Sequence, residues 1–178
     1  LALGFGAGAH AQSGGPVKIG MITDMSSLYA DLDGPAGAEM VKWAAQDFGG
    51  KVLGRPIEVL SADHQNKADV ASSKAREWMD KDGVAMLIGG TNSGTNLAMA
   101  KVAAEKKKPF ISIGAGSSRL TNEDCSPYTV HYAYDTVALA NGTGSAVTKA
   151  GGKTWYFLSA DYAFGHALER DTEAVVLK

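Results

Sequence analysis

Residues 85–96 read Ala-Met-Leu-Ile-Gly-Gly-Thr-Asn-Ser-Gly-Thr-Asn, and this stretch decides the fold. Its first four residues form a short apolar run, which is typical of a strand buried on both faces of a parallel sheet. The Gly, Thr, Asn and Ser residues of 89–96 then predict a loop that leads into a helix running to about Lys106. A strand, a polar loop and a helix in this order make one unit of an α/β sheet.

The same unit repeats along the chain. Strands are predicted at Val17–Ile22 and Ile57–Leu60 before it, and at Phe110–Ile113 after it. A polar loop from Ser26 to Gly34 precedes a helix that ends near Phe48 and its two following glycines. Parallel strands joined by helical crossovers predict an α/β fold with a doubly wound parallel sheet. Two of the helices carry apolar residues at three- and four-residue spacing: Met40, Val41, Ala44, Ala45 and Phe48 in one, and Val70, Ala71, Ala75, Trp78 and Met79 in the other.

The pattern restarts in the last third of the chain. Residues 128–134 alternate as a strand does, and Asp135 can cap the helix that follows. Thr154–Leu158 predicts another buried strand, followed by a loop and a last helix. We therefore expect the start of a second α/β lobe, with the crossover between lobes near residues 131–135. Trp43, Trp78 and Trp155 fall inside predicted helices or strands, so we expect them in the core.

The two ends of the chain differ from its middle. Leu1 to Ala11 is an apolar, small-residue run that ends in Ala9-His-Ala11, the A-x-A pattern of a signal-peptidase site. It predicts a signal-peptide remnant, cleaved after Ala11, and a periplasmic protein; a Gly/Ala-rich terminus is the alternative. Residues 173–178 lie inside a helical pattern with no stop signal. We therefore expect a chain cut at both ends and divide it into three parts: residues 1–11, the remnant; 12–133, the first part of lobe one; and 134–178, the start of lobe two.

Composition and motifs exclude several classes of function. Seventeen Lys and Arg against 19 Asp and Glu give a formal net charge of −2, which disfavours nucleic acid as a partner. The four histidines have no metal-ligand spacing, and the sequence contains neither a G-x-S-x-G elbow nor a P-loop. We expect no catalysis, no metal and no cofactor, and a dinucleotide-binding enzyme is the alternative. The single Cys125 cannot form an internal disulfide.

Four segments carry a resemblance to a known family: Val17–Ser26, Gly50–Val59, Ile88–Ser93 and Ile111–Thr121. In order and spacing they resemble the leucine/isoleucine/valine-type periplasmic solute-binding proteins of ABC importers, the type I periplasmic binding proteins. The resemblance implies two α/β lobes that close over a small carboxylate, and an inner-membrane ABC permease as the partner that receives it. It also implies a monomer when full length, without membrane insertion. Residues 131–143 and 160–165 are similar to a branch that includes importers of aromatic carboxylates, so aromatic acids and branched-chain amino acids are both candidate solutes.

The resemblance implies a carboxylate site at the start of the third predicted helix. Asn92 and Ser93 stand there, and the family uses a Ser to hold the carboxylate. A helix N-terminus supports this role because its free N–H groups and positive dipole end favour an anion. The alternative is that Ser93 only caps the helix. Thr91 is a weaker candidate for the same site.

Two further loops complete the implied site. Gly116 stands where amino-acid binders often carry Thr, which weakens the case for recognition of an α-amino group; a plain tight turn is the alternative. The family places an aromatic residue at the Phe164 position, and a ring without a hydroxyl suits an apolar or aromatic ligand. Tyr29, in the first loop, is a candidate for an aromatic wall. The implied ligand-binding residues of these two loops are Gly114, Ala115, Gly116 and Ser117 after the fourth strand, and Tyr162 and Phe164 in lobe two.

A ligand sensor of the same fold is the alternative function. An amide-responsive regulator or a receptor ectodomain would use the same two lobes but would need an output segment. Such a protein should continue beyond Lys178 into a signalling or transmembrane segment.

Overall fold

A six-stranded sheet organises the residues that the computed structural model describes, 14–177. The strands lie in the order β2-β3-β1-β4-β5-β6. All neighbours run parallel except β2 and β3, which form an antiparallel hairpin. The predicted α/β fold with a parallel sheet is therefore confirmed. The strands are β1 (Val17–Thr23), β2 (Lys51–Val52), β3 (Arg55–Asp63), β4 (Val84–Gly89), β5 (Phe110–Ser112) and β6 (Thr129–His131).

Helices join the parallel strands as the sequence predicts. The helix before Phe48 begins with a proline in its first turn, where a missing N–H costs nothing. The hairpin of β2 and β3 was not predicted, and its turn places Leu53 and Gly54 at positive φ. The helices between strands are α1 (Ala30–Asp33) and α2 (Pro35–Asp47) after β1, α3 (Ala68–Asp80) after β3, and α4 (Ser93–Lys106) after β4.

The core lies between the sheet and the pair α3 and α4. Leu87, Met99 and Phe110 have no exposed surface there. Trp78 of α3 packs directly on β1, where Gly20 leaves room for it. A Cβ at residue 20 would stand 2.6 Å from the indole ring, so only glycine permits this contact. The core position predicted for Trp78 is confirmed.

The opposite face of the sheet is covered incompletely by α2. A gap of about 380 Å³ lies between that helix and the strands, lined by apolar residues that include Ile19 and Ile57. The predicted amphipathic helix forms, but Phe48 on its apolar face is 70% exposed. Trp43 is 55% exposed, so its predicted core position is wrong. The reason is that, within residues 14–177, α2 packs mainly against α1 and β3, which leaves Trp43 and Phe48 largely uncovered.

The chain leaves the sheet after β6. The Oδ1 atom of Asp135 accepts the N–H of Ala138 at 2.7 Å, which confirms the predicted helix cap. The helical run that follows has three parts: α5 (Thr136–Leu139), a π-helical turn (Ala140–Gly144) and α6 (Ser145–Lys149). A final helix, α7 (Ala163–Val176), packs against this run and also contacts α4.

Thr154–Leu158 is extended but is not a strand in the structure. The rings of Trp155 and Phe157 stack on one side, with centroids 6.5 Å apart. On the other side Tyr156 is 90% and Leu158 is 93% exposed. The predicted buried strand is therefore wrong, because no strand within residues 14–177 lies beside this segment to pair with it or cover its outer face.

Two expectations concern the membrane and export. None of the helices within residues 14–177 has the length and hydrophobicity needed to cross a bilayer. The predicted signal-peptide remnant, residues 1–11, lies outside the described residues.

Candidate ligand-binding site

The predicted site residues meet at the carboxyl edge of the parallel sheet. The loop after β4 leads into α4 at Ser93, and the loop after β5 runs through Gly114–Ser117. Neighbouring parallel strands end at the same edge, so these two loops lie side by side. A crevice at this edge is where α/β sheets of this kind bind ligands.

Asn92, rather than Ser93, caps α4. The Oδ1 atom of Asn92 accepts the N–H of Thr95 at 2.9 Å, and its Nδ2 donates to Oδ1 of Asn66 at 2.5 Å. Both polar ends of the Asn92 side chain are therefore engaged within the protein. The cap role that was the alternative for Ser93 belongs to its neighbour.

Ser93 connects the two loops. Its Oγ accepts the backbone N–H of Ser117 at 3.1 Å, and neither residue has exposed surface. A hydroxyl has one proton to donate and lone pairs to accept. Since the oxygen of Ser93 already receives an N–H, its proton is left for another acceptor at the positive end of α4, where an anion is favoured.

Thr91 is oriented differently. Its Oγ1 donates to Oδ2 of Asp33 at 2.7 Å, while Oδ1 of the same carboxylate accepts the hydroxyl of Thr23 at 2.8 Å. Asp33, the last residue of α1, thereby ties the segment after β1 to the loop after β4. Because the Thr91 proton is committed to Asp33, that hydroxyl has no proton to donate to a carboxylate ligand.

Hydrogen bonds from both sides hold the loop after β5. The carbonyl of Ala115 accepts from Nε2 of His131 at 2.5 Å, and the carbonyl of Gly116 accepts the N–H of Thr136 at 2.8 Å. The Oγ of Ser117 accepts the N–H of Arg119 at 3.4 Å, within its own turn. These bonds within the protein fix the conformation of the loop.

Aromatic rings surround Gly116. A Cβ at this position would stand 2.7 Å from the ring of Tyr134 and 3.0 Å from the ring of Phe164. Only a residue without a side chain permits both rings to approach. The predicted residues Gly116 and Phe164 are therefore neighbours in the structure.

A second pair of rings joins the first loop to the loop before α7. The phenol oxygens of Tyr29 and Tyr162 are 2.6 Å apart, and the centroid of Tyr162 lies 6.1 Å from that of Phe164. Burial, and next the hydrogen bond with Tyr29, raises the pKa of the Tyr162 phenol well above its ordinary value of 10. Tyr162 is therefore neutral, and the cluster carries no charge of its own.

His64 lies under the same edge of the sheet, just after β3. It has no exposed surface, and its Nδ1 accepts the N–H of Asn66 at 3.0 Å. Its Nε2 finds no hydrogen-bond partner within residues 14–177. Burial lowers the pKa of His64, against the opposing charges of three aspartates: Asp24, Asp63 and Asp33.

Known proteins resemble this chain in both sequence and structure. A sequence profile of the periplasmic binding protein family matches residues 16–178. The chain belongs to this family. The structure of a periplasmic binding protein from Burkholderia mallei is 70% identical in sequence, covering 91% of this chain and 43% of its own, with a TM-score of 0.87.

Two further solved structures resemble this periplasmic binding protein. A branched chain amino acid ABC transporter periplasmic ligand-binding protein from Burkholderia xenovorans is 36% identical, covering 90% of this chain and 43% of its own (TM-score 0.77). A solute-binding protein of an ABC transporter from R. palustris, in complex with benzoate, is 28% identical, covering 92% and 45% (TM-score 0.77). The chain spans less than half the length of each of these structures. No curated protein matches it.

Sequence reasoning missed several residues of this periplasmic binding protein that contact the predicted site. Tyr134 was seen only as part of an alternating segment, and nothing local distinguishes it from its neighbours. Thr136 and Asp171 bond to the loop after β5 from a distance in sequence that no local pattern reveals. The structure places Tyr29, the candidate for an aromatic wall, beside Tyr162.

A large groove of this binding protein lies away from the predicted site. It measures about 600 Å³ and is bounded by the extended segment 155–160 and by the helices α5 and α7. Phe164 is the only predicted site residue among those that line it. The groove is the uncovered side of the segment that was predicted as a strand, so we do not assign the ligand to it.

Proposed function

We propose that this chain is the N-terminal part of a periplasmic solute-binding protein that delivers a small carboxylate to an inner-membrane ABC permease. The proposal is carried by the hydroxyl of Ser93, which sits at the N-terminus of α4 with its oxygen already bonded to the N–H of Ser117. That arrangement leaves a proton for a carboxylate oxygen. No bond is made or broken in this function.

The solute would bind between two lobes. Residues 12–133 would form the first part of lobe one, and 134–178 the start of lobe two. The end of the sheet at β6, and the packing of α5, α6 and α7 mainly on one another, support this division. Coverage of 43–45% of the related structures supports a longer protein in which both lobes are complete.

The carboxylate would be held from lobe one. Ser93 would donate its hydroxyl proton, and the N-terminus of α4 would add its dipole. Asn92 would act by shaping this terminus, since its side chain bonds to Thr95 and Asn66. Gly114 and Ala115 would lie beside the carboxylate as backbone.

The body of the solute would be aromatic. The rings of Phe164 and Tyr134 both approach Gly116, and Tyr162 extends the cluster. Aromatic rings prefer offset or edge-to-face contacts with other rings, which adds to the apolar area that they bury. Gly116 also lacks the hydroxyl that amino-acid binders often carry, so an ammonium would lose a partner in a closed site.

The named relatives include both solute classes. The R. palustris protein was solved with benzoate, and the B. xenovorans protein is a periplasmic ligand-binding protein of a branched chain amino acid ABC transporter. The choice for this chain therefore depends on its own residues. The uncharged cluster around Gly116 favours an aromatic carboxylate over leucine, isoleucine or valine.

Competitive calorimetry of the full-length protein with benzoate and leucine tests the proposal. We expect benzoate to bind and leucine to bind at least tenfold more weakly, a difference of about 1.4 kcal/mol. Tight leucine binding without any response to benzoate would refute the aromatic solute and keep the carboxylate site. Binding of neither, nor of related aromatic or aliphatic acids, would refute the proposed function itself.

Export is part of the same proposal. The Ala9-His-Ala11 pattern supports cleavage after Ala11 and a periplasmic location. N-terminal sequencing of the mature protein should then begin at Gln12. A mature protein that keeps residues 1–11 would contradict it.

A further inference from the structure

One face of α7 reaches the loop after β5 at two points. Phe164 and Asp171 are seven residues apart, about two helical turns, and so lie on the same face. Phe164 meets the loop at Gly116. Asp171 meets it at Ser118, whose Oγ donates to Oδ2 of the carboxylate at 2.7 Å.

Thr136 connects the same carboxylate to the loop backbone. Its Oγ1 lies 2.6 Å from Oδ2 of Asp171 and 3.0 Å from the backbone N of Ser118. A carboxylate only accepts, so the single proton of the Thr136 hydroxyl goes to Asp171, and its lone pair receives the N–H of Ser118. The backbone N–H of Thr136 also donates to the carbonyl of Gly116.

We propose that Asp171 is a positioning residue for the carboxylate site, acting from α7 through Thr136 and Ser118. By holding Thr136 and Ser118, it fixes the Gly116–Ser117 peptide, whose carbonyl accepts the N–H of Thr136 and whose N–H donates to the Oγ of Ser93. The direction in which the Ser93 proton points then depends on a carboxylate in the second lobe. This inference rests on the proposed ligand site and adds a residue to it.

Burial and charge fit this role. Thr136 has no exposed surface, Ser118 is 1% exposed, and the side chain of Asp171 is 11% exposed. Burial would raise the pKa of Asp171, but hydrogen bonds from Thr136, Ser118 and Arg170 outweigh it and lower the pKa. The carboxylate is therefore ionised at neutral pH and stays an acceptor for both hydroxyls.

Arg170 supports the cluster from outside. Its guanidinium donates to Oδ1 of Asp171 at 3.0–3.1 Å and to Oγ of Ser118 at 3.0 Å. It also pairs with the exposed Glu123 at 3.0 Å. Glu123 bonds to Arg170 but to neither Thr136 nor Ser118. A substitution of Glu123 therefore changes the charge beside Arg170 and leaves the bonds from Asp171 to these two hydroxyls in place.

The test uses the full-length protein and benzoate as the probe. Asp171→Ala should weaken benzoate binding roughly tenfold or more, as expected for lost hydrogen bonds to a charged group. Thr136→Val should have a similar effect, and Thr136→Ser, which keeps the hydroxyl, should restore affinity to within about threefold of wild type. The double variant Asp171→Ala/Thr136→Val should be little worse than either single variant, because both remove the same path.

Glu123→Gln is the matched control and should leave benzoate affinity unchanged. If Asp171→Ala folds poorly, the Thr136 pair still decides the question. Unchanged affinity in Thr136→Val, or equal effects of Thr136→Val and Thr136→Ser, would overturn the positioning role. A loss of stability in Thr136→Val with unchanged affinity would show a purely structural contact and would overturn it as well.

A second readout separates this inference from the proposed function. Amide hydrogen exchange in the ligand-free protein reports on Ser117 and Ser118 directly. Asp171→Ala should speed exchange at these two amides roughly tenfold or more, and Glu123→Gln should not. If wild-type protein binds no carboxylate, the proposed function fails while this measurement still tests the positioning; unchanged exchange overturns the positioning even where benzoate binds.

Discussion

The backbone N–H of Ser117 donates to the Oγ of Ser93 over 3.1 Å, with both residues fully buried. This bond joins the loop after β5 to the first residue of α4, two segments that are 24 residues apart. The side chain of Asn92 caps α4, whereas the side chain of Ser93 bonds to the neighbouring loop, so Ser93 does not act as the helix cap. The hydroxyl of Ser93 can therefore be tested without removing the cap.

Ser93→Ala in the full-length protein should weaken carboxylate binding. Loss of a hydrogen bond to a charged group costs about 1.5–3 kcal/mol. At about 1.4 kcal/mol per tenfold, the dissociation constant should rise roughly ten- to a hundredfold. Titration calorimetry with the tightest-binding carboxylate measures this change.

Ser73→Ala is the control for Ser93→Ala. Ser73 is exposed on α3 and lies away from the loops that form the site, so its removal should leave the dissociation constant unchanged. A folded Ser93→Ala protein with wild-type affinity would show that Ser93 only connects two loops.

Gly116→Ala should disturb the aromatic cluster. The new Cβ would stand 2.7 Å from Tyr134 and 3.0 Å from Phe164, closer than carbon atoms approach without displacement. Overpacking of this kind costs about 1–3 kcal/mol. Urea denaturation should show that loss in the free energy of unfolding, and the affinity for an aromatic carboxylate should fall as the rings move.

Gly142→Ala tests whether the loss is specific. A Cβ at Gly142 would meet no atom within 4 Å, and its φ is not positive, so this variant should be neutral or slightly stabilising. If Gly116→Ala and Gly142→Ala are equally stable, the rings of Tyr134 and Phe164 move aside without cost in free energy. The aromatic cluster would then not be a rigid part of the site.

Local hydrophobic patterns predicted most strands of the parallel sheet and the helices that join them. The apolar run of residues 85–88 became part of β4, as predicted, but it is not buried on both faces, since Leu87 has no exposed surface whereas Ala85 is exposed. Thr154–Leu158 carried a similar pattern and did not become a strand. A strand pattern indicates only that a segment can bury apolar side chains on a sheet. To pair, the segment also needs a neighbouring strand, and residues 14–177 contain no strand beside Thr154–Leu158.

The predicted site residues came mainly from the resemblance to the periplasmic solute-binding family, which implied roles for Ser93 and Phe164. For Ser93 a local reason supports the role, since it stands at a helix N-terminus. Tyr134 and Asp171 act through contacts with Gly116 and Ser118 that fold topology creates. A single sequence holds no signal for such pairings, so these contacts of Tyr134 and Asp171 are seen only in the structure.

The exposed segment Thr154–Leu158 predicts that the isolated 178-residue chain self-associates. Leu158 and Tyr156 expose apolar side chains beside backbone groups that have no strand partner, and open edges of this kind promote association. Sedimentation velocity should show species heavier than the 18.5 kDa monomer that grow with concentration. Leu158→Lys should shift the distribution toward the monomer, because a charge opposes edge pairing.

Leu53→Lys is the matched control for Leu158→Lys. Leu53 is 94% exposed, close to the 93% of Leu158, but it lies in the turn between β2 and β3, whose strands are already paired. It should leave the association unchanged. An equal shift in both variants would attribute the association to general surface hydrophobicity, and a purely monomeric wild-type chain would contradict the prediction.

His64 should make stability depend on pH in the weakly acidic range. Burial lowers its pKa below the ordinary 6.5, and the charges of Asp24, Asp63 and Asp33 only partly oppose this. Above pH 6.5 the histidine is neutral in both the folded and the unfolded chain, so its contribution is fully present. As the pH falls below 6.5 the unfolded chain binds a proton first, and the free energy of unfolding falls by up to about 1.4 kcal/mol per pH unit.

Urea denaturation of the full-length protein at pH 7.5 and pH 5.5 measures this effect. Hydrogen bonds outweigh burial and lower the pKa values of Asp24 and Asp63 below 3.8, so these carboxylates lose their contribution only in more acidic solution. His64→Asn, which keeps an acceptor near the position of Nδ1 for the N–H of Asn66, should remove most of the difference between the two pH values. His166→Gln, at an exposed histidine, should retain it. A wild-type protein equally stable at both pH values, or a His64→Asn variant with the full pH dependence, would show that His64 is not the group that titrates.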